Sequence, residues 1–290
     1  MGMLNLIPFV YLQTNGFEKA LISHPPNPPV SGTNPMKKTK PIVSILLPVH
    51  NADRYLSDCL KNLVSQSFRQ IEIIAIDDCS SDDSYKILRS FAKKYKKVRV
   101  YKNIKRYGIV MTLNRLLRRA KGQHIAFMDA GDVSNKQRIK KQVEFLAENP
   151  EVVAVGTQCK FMNDKGKFIG KSNFPTKNQY IYESPLHGIS MQFETMLVNK
   201  TLLPKDVLKL TNSIEPFIYS DVFIKLLPYG KFANLNSYLH RHRKNPQTYF
   251  LDMRNNILSF IKLWLFSKSN YNYNPTLSSL LLPFTRISTR

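Results

Sequence analysis

Cysteine is scarce in this chain. The three residues, Cys59, Cys79 and Cys159, form no CxxC pair and meet no matching histidine spacing, which excludes a disulfide framework and a zinc site and suits a reducing compartment. Also missing are a GxxxxGK[ST] loop, a GxGxxG after the first apolar run, a GxSxG elbow and an HExxH pair. Any nucleotide chemistry would therefore rest on carboxylates and a divalent cation rather than on a glycine-rich cradle. Long apolar runs are absent as well. A spanning helix needs about twenty such residues, whereas ILSFIKLWLF has ten and reads as a core or interfacial helix.

Acid is the scarcer charge. Twenty Asp and Glu stand against 43 Lys and Arg, a formal net charge of +23, and residues 86–121 carry fourteen basic side chains and no acid. Such a surface attracts a polyanion, whether nucleic acid, an anionic leaflet or a phosphate-bearing substrate, or else is a solvated face that aids solubility. The tract lacks the aromatic pattern of an RNA-binding sheet and any helix-turn-helix signature, so no nucleic acid partner is expected. A basic protein that binds nucleic acid or membrane remains a reading that rests on charge alone.

With 43% apolar residues over 290 positions the chain has enough to bury for a packed globular fold. Residues 1–38 run from an apolar start without a basic n-region into PPNPPVSGTNP, and are expected to be a disordered or spurious extension. PIVSILLPVH (41–50) and IEIIAIDD (71–78) are near-continuous apolar runs of the kind buried on both sheet faces. VRVYKN, HIAFMD and VVAVGTQCKFM add three strands. Between the strands fall helical patterns: Leu56, Leu60, Leu63 and Val64, then a segment capped by Ser80 with Asp83. A third places Ile109, Leu113, Leu116, Leu117 and Ala120 on one face, and the last is capped by Ser134 with Gln137. This β-α-β-α-β-α-β-α-β order predicts an α/β fold with a mostly parallel sheet and helices on both faces.

In such a sheet a ligand lies beyond the carboxyl ends of the strands. That rim would collect His50 and Asn51 after the first strand, Asp77 and Asp78 after the second, and Asp129 and Asp132 after the fourth. Each acid taken alone also suits a helix cap or turn. Three strands delivering polar groups to one rim argue for a binding site.

Residues 41 to about 165 resemble the inverting glycosyltransferases of family 2. The likeness rests on PIVSILLPVHNADRYLSDCLKNLVSQSF, IEIIAIDDCSSDDS, GIVMTLNRLLRRAKGQHIAFMDAGD and RIKKQVEFLAENPEVVAVGT, in that order, and continues faintly through residues 219–248. It implies a GT-A fold, Rossmann-like with a mostly parallel central sheet, plus a smaller acceptor-side region. Residues 39–250 would form the transferase domain, with a nucleotide-sugar-binding half (39–165) and an acceptor-side half (166–250), before a C-terminal helical tail (251–290). The resemblance further implies a nucleotide-sugar donor, a UDP-sugar, held by Pro48, His50, Asn51, Asp77, Asp78 and Asp129. Mn²⁺ or Mg²⁺ would sit on Asp129 and Asp132 beside the diphosphate. Asp129 and Asp132 would thus serve catalysis, and Asp221 would be the general base toward a saccharide or lipid-linked saccharide in surface polysaccharide or cell-envelope glycan synthesis. The implied setting is cytoplasmic, peripheral at the inner face of an anionic membrane.

The sequence departs from the family pattern at three places. Gly131 replaces the second acid of the usual Asp-Ala-Asp-Asp run, Ile218 and Tyr219 replace a Glu-Asp pair, and Phe193 and Glu194 replace a His-Pro. Glu194 and Glu215 are then further acids that could act as base, and a degenerate member that binds nucleotide or saccharide without turnover is a second reading. His240 and His242 in LHRHRKN read as a solvated strand edge, and Trp264 as core or interface packing.

Overall fold

The structure is a computed structural model that describes residues 41–276, apart from 212–213 and 245–246, together with Ser279. The predicted extension at 1–38 lies outside the described residues, as does most of the tail beyond 276. Among the described residues nine strands join one sheet in the order β3-β2-β1-β4-β8-β6-β9-β5, with β7 paired to β6. The strands are β1 (Val43–Val49), β2 (Ile71–Asp77), β3 (Val98–Lys102), β4 (His124–Phe127), β5 (Val133–Ser134), β6 (Val152–Met162), β7 (Phe168–Lys171), β8 (Leu197–Asn199) and β9 (Lys231–His242). The helices are α1 (Asp53–Val64), α2 (Ser84–Lys94), α3 (Gly108–Arg119), α4 (Arg138–Glu148), α5 (Asn178–Tyr182), α6 (Ile218–Leu226), α7 (Gln247–Asn255) and α8 (Ile257–Tyr271).

The near-continuous apolar runs become strands because alternate side chains feed two different cores. Ile45 and Leu47 of β1 and Ile73 and Ala75 of β2 pack with Leu56, Leu60 and Leu88 of α1 and α2 and with Ile139 of α4. Leu46, Ile74 and Ile76 point the other way, against Leu113 and Leu116 of α3 and Val222 and Phe223 of α6. Each fully buried aliphatic side chain of this kind contributes about 1.5–3 kcal/mol. Strands β3, β2, β1 and β4 are parallel, as predicted. The fifth predicted strand, β6, does not extend that run. The wholly buried β8 occupies the place beside β4, antiparallel to both β4 and β6, and β6 in turn runs parallel to β9.

Local details also differ from the sequence pattern. At α2 Asp83 holds the N-cap position without a side-chain cap hydrogen bond, and Asp82 Oδ1 accepts from Ser84 N at 3.0 Å in place of the predicted Ser80–Asp83 box. Asn135 Oδ1 accepts from Gln137 N at 2.9 Å ahead of α4 in place of Ser134. Both are Asx turns, in which a short side chain reaches an amide two residues on. Ile109, read as part of the buried face of α3, is 39% exposed because α3 begins at the mouth of a cleft. Part of the basic tract is used inside the fold: Arg99 pairs with Glu72 at 2.6 Å, and Arg115 lies 4.0 Å over the Tyr107 ring. Phe260 and Leu263 of α8 are buried against α6, with Trp264 partly buried beside them. Among the described residues no helix is long and apolar enough to cross a membrane.

Candidate functional site

The parallel register brings the strand ends to one level. Val49 pairs with Asp77, Asp78 N donates to Val49 O at 2.7 Å, and Met128 N donates to Leu46 O at 3.1 Å. Beyond these ends lies an open cleft of about 420 Å³ whose lining includes Pro48, His50, Asn51, Asp78, Asp129 and Gly131. Tyr55 of α1, Arg106 and Thr112 around the start of α3, Asp164 and Arg243 complete it. Five of the predicted rim residues therefore meet there: Pro48, His50, Asn51, Asp78 and Asp129. Asp77, Asp132 and Asp221 are not among the lining residues.

Several of these side chains hold the cleft in shape as well as face it. His50 Nδ1 lies 3.0 Å from Asp78 O. Asn51 sits at φ 47°, a conformation Asn tolerates, and its Oδ1 accepts from Ser81 N at 2.9 Å. Asp78 caps α3, accepting from Tyr107 N (2.9 Å), Gly108 N (2.8 Å) and Asn103 Nδ2 (2.7 Å). Burial would raise its pKa, but the Tyr107 amide, Asn103, the Gly108 amide and Thr112 together outweigh burial and hold it below the usual carboxylate value. The two readings of this acid, cap and rim residue, are both true. Asp77 is fully buried, and Ser80 N donates to its Oδ2 at 3.2 Å.

The predicted carboxylate pair is split. Asp129 is exposed on the cleft, with Oδ1 accepting from Gly131 N at 2.7 Å. The mass of protein around the cleft floor, followed by the charges of Asp132 and Glu194, pushes its pKa up to about 7, against the Gly131 amide and His242. Asp132 is 1% exposed and faces away. Its Oδ2 accepts from His240 Nε2 (2.8 Å) and His242 Nδ1 (2.7 Å), and its Oδ1 from Arg243 N (2.8 Å). Although burial opposes ionisation, His242 and His240 hold Asp132 well below the normal carboxylate range. Asp129 and Asp132, expected to share a metal, thus face different surroundings.

Asp132, His240 and His242 do place ligand-type atoms within 4.8 Å of one another, a donor set that transition metals accept. Here both rings direct an N–H at one ionised oxygen, and Arg138 Nη1 stands 3.4 Å from His240 Nδ1, so the cluster is already cationic and hydrogen-bonded. The two histidines are buried at 2% and 5%, not solvated as the sequence suggested. Alternation along β9 sends both rings to one face, and the β5–β9 pairing brings Asp132 alongside. His242 is raised to about 9: burial pulls it down, but the Asp132 charge and hydrogen bond outweigh that. His240 is lowered, chiefly by burial.

Behind this cluster lies a set of residues that pattern reading passed over. Arg138, wholly buried, donates to Glu194 O at 2.5 Å and Phe127 O at 3.3 Å, and burial lowers it to about 10. Gln142 donates to Val155 O and Thr195 O. Gln192 Nε2 donates to Glu194 Oε2 (2.6 Å) and to Tyr249 OH (2.8 Å), and that hydroxyl lies 2.9 Å from His242 Nε2. The departures from the family pattern touch each other: Phe193 stacks on Tyr219 with centroids 4.2 Å apart. Burial raises the Tyr219 hydroxyl above its normal value. Asp221 is 2% exposed and Tyr271 of α8 donates to its Oδ1 at 3.0 Å. Asp221, expected as the base, lies two residues beyond Tyr219 in α6 and is directed to Tyr271 of α8 rather than to the cleft. The His-Arg-His alternation at 240–242 was a sequence signal for two rings on one strand face, but its partner Asp132 lies more than 100 residues away.

Fold and cleft together define a GT-A-type α/β protein that offers a ligand site at the ends of its parallel strands. Residues 44–202, more than half of the chain, match the family described as Glycosyl transferase family 2, and the chain belongs to that family. The putative teichuronic acid biosynthesis glycosyltransferase TuaG of Bacillus subtilis is 34% identical over 113 residues, covering 39% of this chain and 45% of TuaG. The chain spans 45–63% of the length of the first curated relatives it matches. S. aureus TarS 1–349 in complex with UDP superposes with a TM-score of 0.59 at 20% identity, covering 77% of this chain and 66% of that one. The mannosyltransferase PcManGT of Pyrobaculum calidifontis, in complex with GDP-Man and Mn²⁺, gives 0.62 at 15% identity over 85% and 70%. At these identities the structures share the fold.

Proposed function

We propose that this protein transfers a sugar, with inversion, from a UDP-sugar to a saccharide or lipid-linked saccharide in cell-envelope glycan synthesis. The observation that carries the reading is the cleft itself. It lies where a parallel sheet presents ligands, it has the volume of a small-molecule site, and Asp129 stands free on it. Family membership, the TuaG relative and the UDP-bound TarS fold agree with it. Pro48, His50, Asn51 and Asp78 would hold the nucleoside. With Asp221 hydrogen-bonded to Tyr271 of α8, we assign Glu194, a buried carboxylate at one of the departures from the family pattern, as base. A panel of UDP- and GDP-sugars, each incubated with envelope saccharide extracts and followed by mass spectrometry, tests the proposal. Release of UDP with a mass-shifted saccharide supports it, and a protein that binds no nucleotide refutes it.

One observation favours the non-catalytic alternative: Tyr219, at the place of the family's Asp, is stacked and protonated. Nucleotide binding without transfer or donor hydrolysis would decide for it. A membrane setting draws on α7 and α8, where Leu251, Ile257, Leu258, Ile261 and Leu265 are exposed (79% for Leu258) among Arg254, Lys262 and Lys268. Apolar side chains flanked by cations suit an anionic bilayer surface. Flotation with anionic but not neutral vesicles, abolished by Leu258→Asp, checks it.

A further inference from the structure

The cleft has one feature that compensates for its missing acid. Gly131 stands where a second carboxylate would enter, and the space a side chain would take there lies between Asp129 and Arg243: a Cβ on Gly131 would lie 3.2 Å from Asp129 Oδ1, 3.8 Å from Arg243 Cδ and 3.9 Å from its Cβ. Arg243 is fixed in place from three sides. Its Nε donates to Gly131 O (2.9 Å), its Nη1 to Asn163 O (2.8 Å) and Asp164 O (3.1 Å), and its guanidinium lies 4.0 Å over the Tyr55 ring. The oxygens it meets are carbonyls, and among the described residues no carboxylate forms an ion pair with it, so the positive charge is not neutralised by the protein. Asp132, next to Gly131 in the chain, spends its oxygens on the two histidines and on the Arg243 backbone. Asp164 meets Arg243 and Tyr55 through its carbonyl oxygen. Arg106, exposed on the β3–α3 loop, lines the same cleft.

A guanidinium held on an aromatic face, with its charge open to a cleft, is a receptor for phosphate oxygens. We propose that Arg243, assisted by Arg106, receives the diphosphate of the nucleotide, so that a nucleoside diphosphate binds this cleft without a divalent cation. The proposal rests on the donor-site reading above and deepens it: the positive charge opposite the leaving diphosphate comes from arginine. An aspartate at position 131 would enter between Asp129 and Arg243, repelled by the first and attracted to the second.

Calorimetric titration with UDP, GDP and uridine, in EDTA and in Mn²⁺, tests this. UDP or GDP is expected to bind in EDTA at least about tenfold more tightly than uridine, as charge-assisted phosphate contacts allow. Arg243→Gln is expected to abolish that advantage while leaving uridine binding unchanged, and Arg243→Lys to keep part of it. Arg243 also ties three loop carbonyls, so each variant is checked by thermal melting; Arg106→Gln, on an exposed loop, gives a second readout with a smaller loss. Gly131→Asp is expected to weaken binding in EDTA and to create a dependence on Mn²⁺. Binding that requires Mn²⁺ in the parent and is unchanged by both arginine substitutions overturns the proposal and leaves the donor site standing. Absence of nucleotide binding in either buffer overturns both.

Discussion

The rim formed by β1, β2 and α3 and the buried cluster between α4 and β9 both hold aspartates at strand ends, yet they satisfy them by opposite means. On the rim, Asp78 is met by two backbone amides and one side-chain amide, all within 30 residues of it. In the cluster, Asp132 is met by two imidazoles more than 100 residues away. The first solution is local and survives at a water-exposed cleft. The second needs the whole sheet to close before the charges are paired, and it leaves a costly charge in the interior if either partner is lost. One acid shapes the rim of the cleft; the other ties the β5 segment to β9.

The sharpest way to break this comparison is Asp132→Ala. It should cost about 3–5 kcal/mol, as loss of one partner of a buried ion pair does, measured by urea unfolding. Equal stability in parent and variant would mean that the cluster is not ionised. Next, Glu194→Gln should lower transfer about a hundredfold or more with the melting temperature little changed. Unaltered turnover would move the base elsewhere. Asp78→Ala should destabilise by about 2–4 kcal/mol through the lost cap and stranded amides, and weaken UDP binding as well. A variant with parent stability and weaker binding would make Asp78 a ligand-binding residue only.

A pH series sharpens the contrast further. His242 is raised to about 9, against roughly 6.5 in an unfolded chain. Its contribution is therefore complete below the unfolded value and is lost as pH rises through the folded one. The lowered His240 acts on the acid side, where its unfolded form takes up a proton first. The melting temperature should fall on going from neutral pH to above 9, and His242→Gln should flatten that fall. A parent with no alkaline decline would show His242 to be neutral. The smallest effect belongs to Asp221→Asn, which should leave transfer intact and cost about 1 kcal/mol or less through Tyr271. A large drop in rate with preserved UDP affinity would restore Asp221 as base.

The parallel half of the sheet was legible because its signals are short-range. Apolar runs that alternate between two cores gave β1, β2 and β4, and the residues following them had to emerge together on one edge, which placed Pro48, His50, Asn51, Asp78 and Asp129. Which acid faces the cleft was not legible. Asp129 and Asp132 are three residues apart and chemically identical, and only the position of β9 decides that Asp132 turns inward. The same holds for β8, three residues long, whose insertion beside β4 carries no periodicity to read.

The amino-acid sequence by itself determined the parallel α/β half, the rim on which a ligand would lie and the family resemblance, because strand burial and chain order are local consequences of side-chain pattern. Tertiary structure alone decided the charge states and partners. Pairing His240 and His242 with Asp132, stacking Phe193 on Tyr219 and laying Arg243 beside Gly131 all join residues far apart in the chain. The energy of a buried charge depends on what surrounds it in space, and that environment exists only once the sheet has closed.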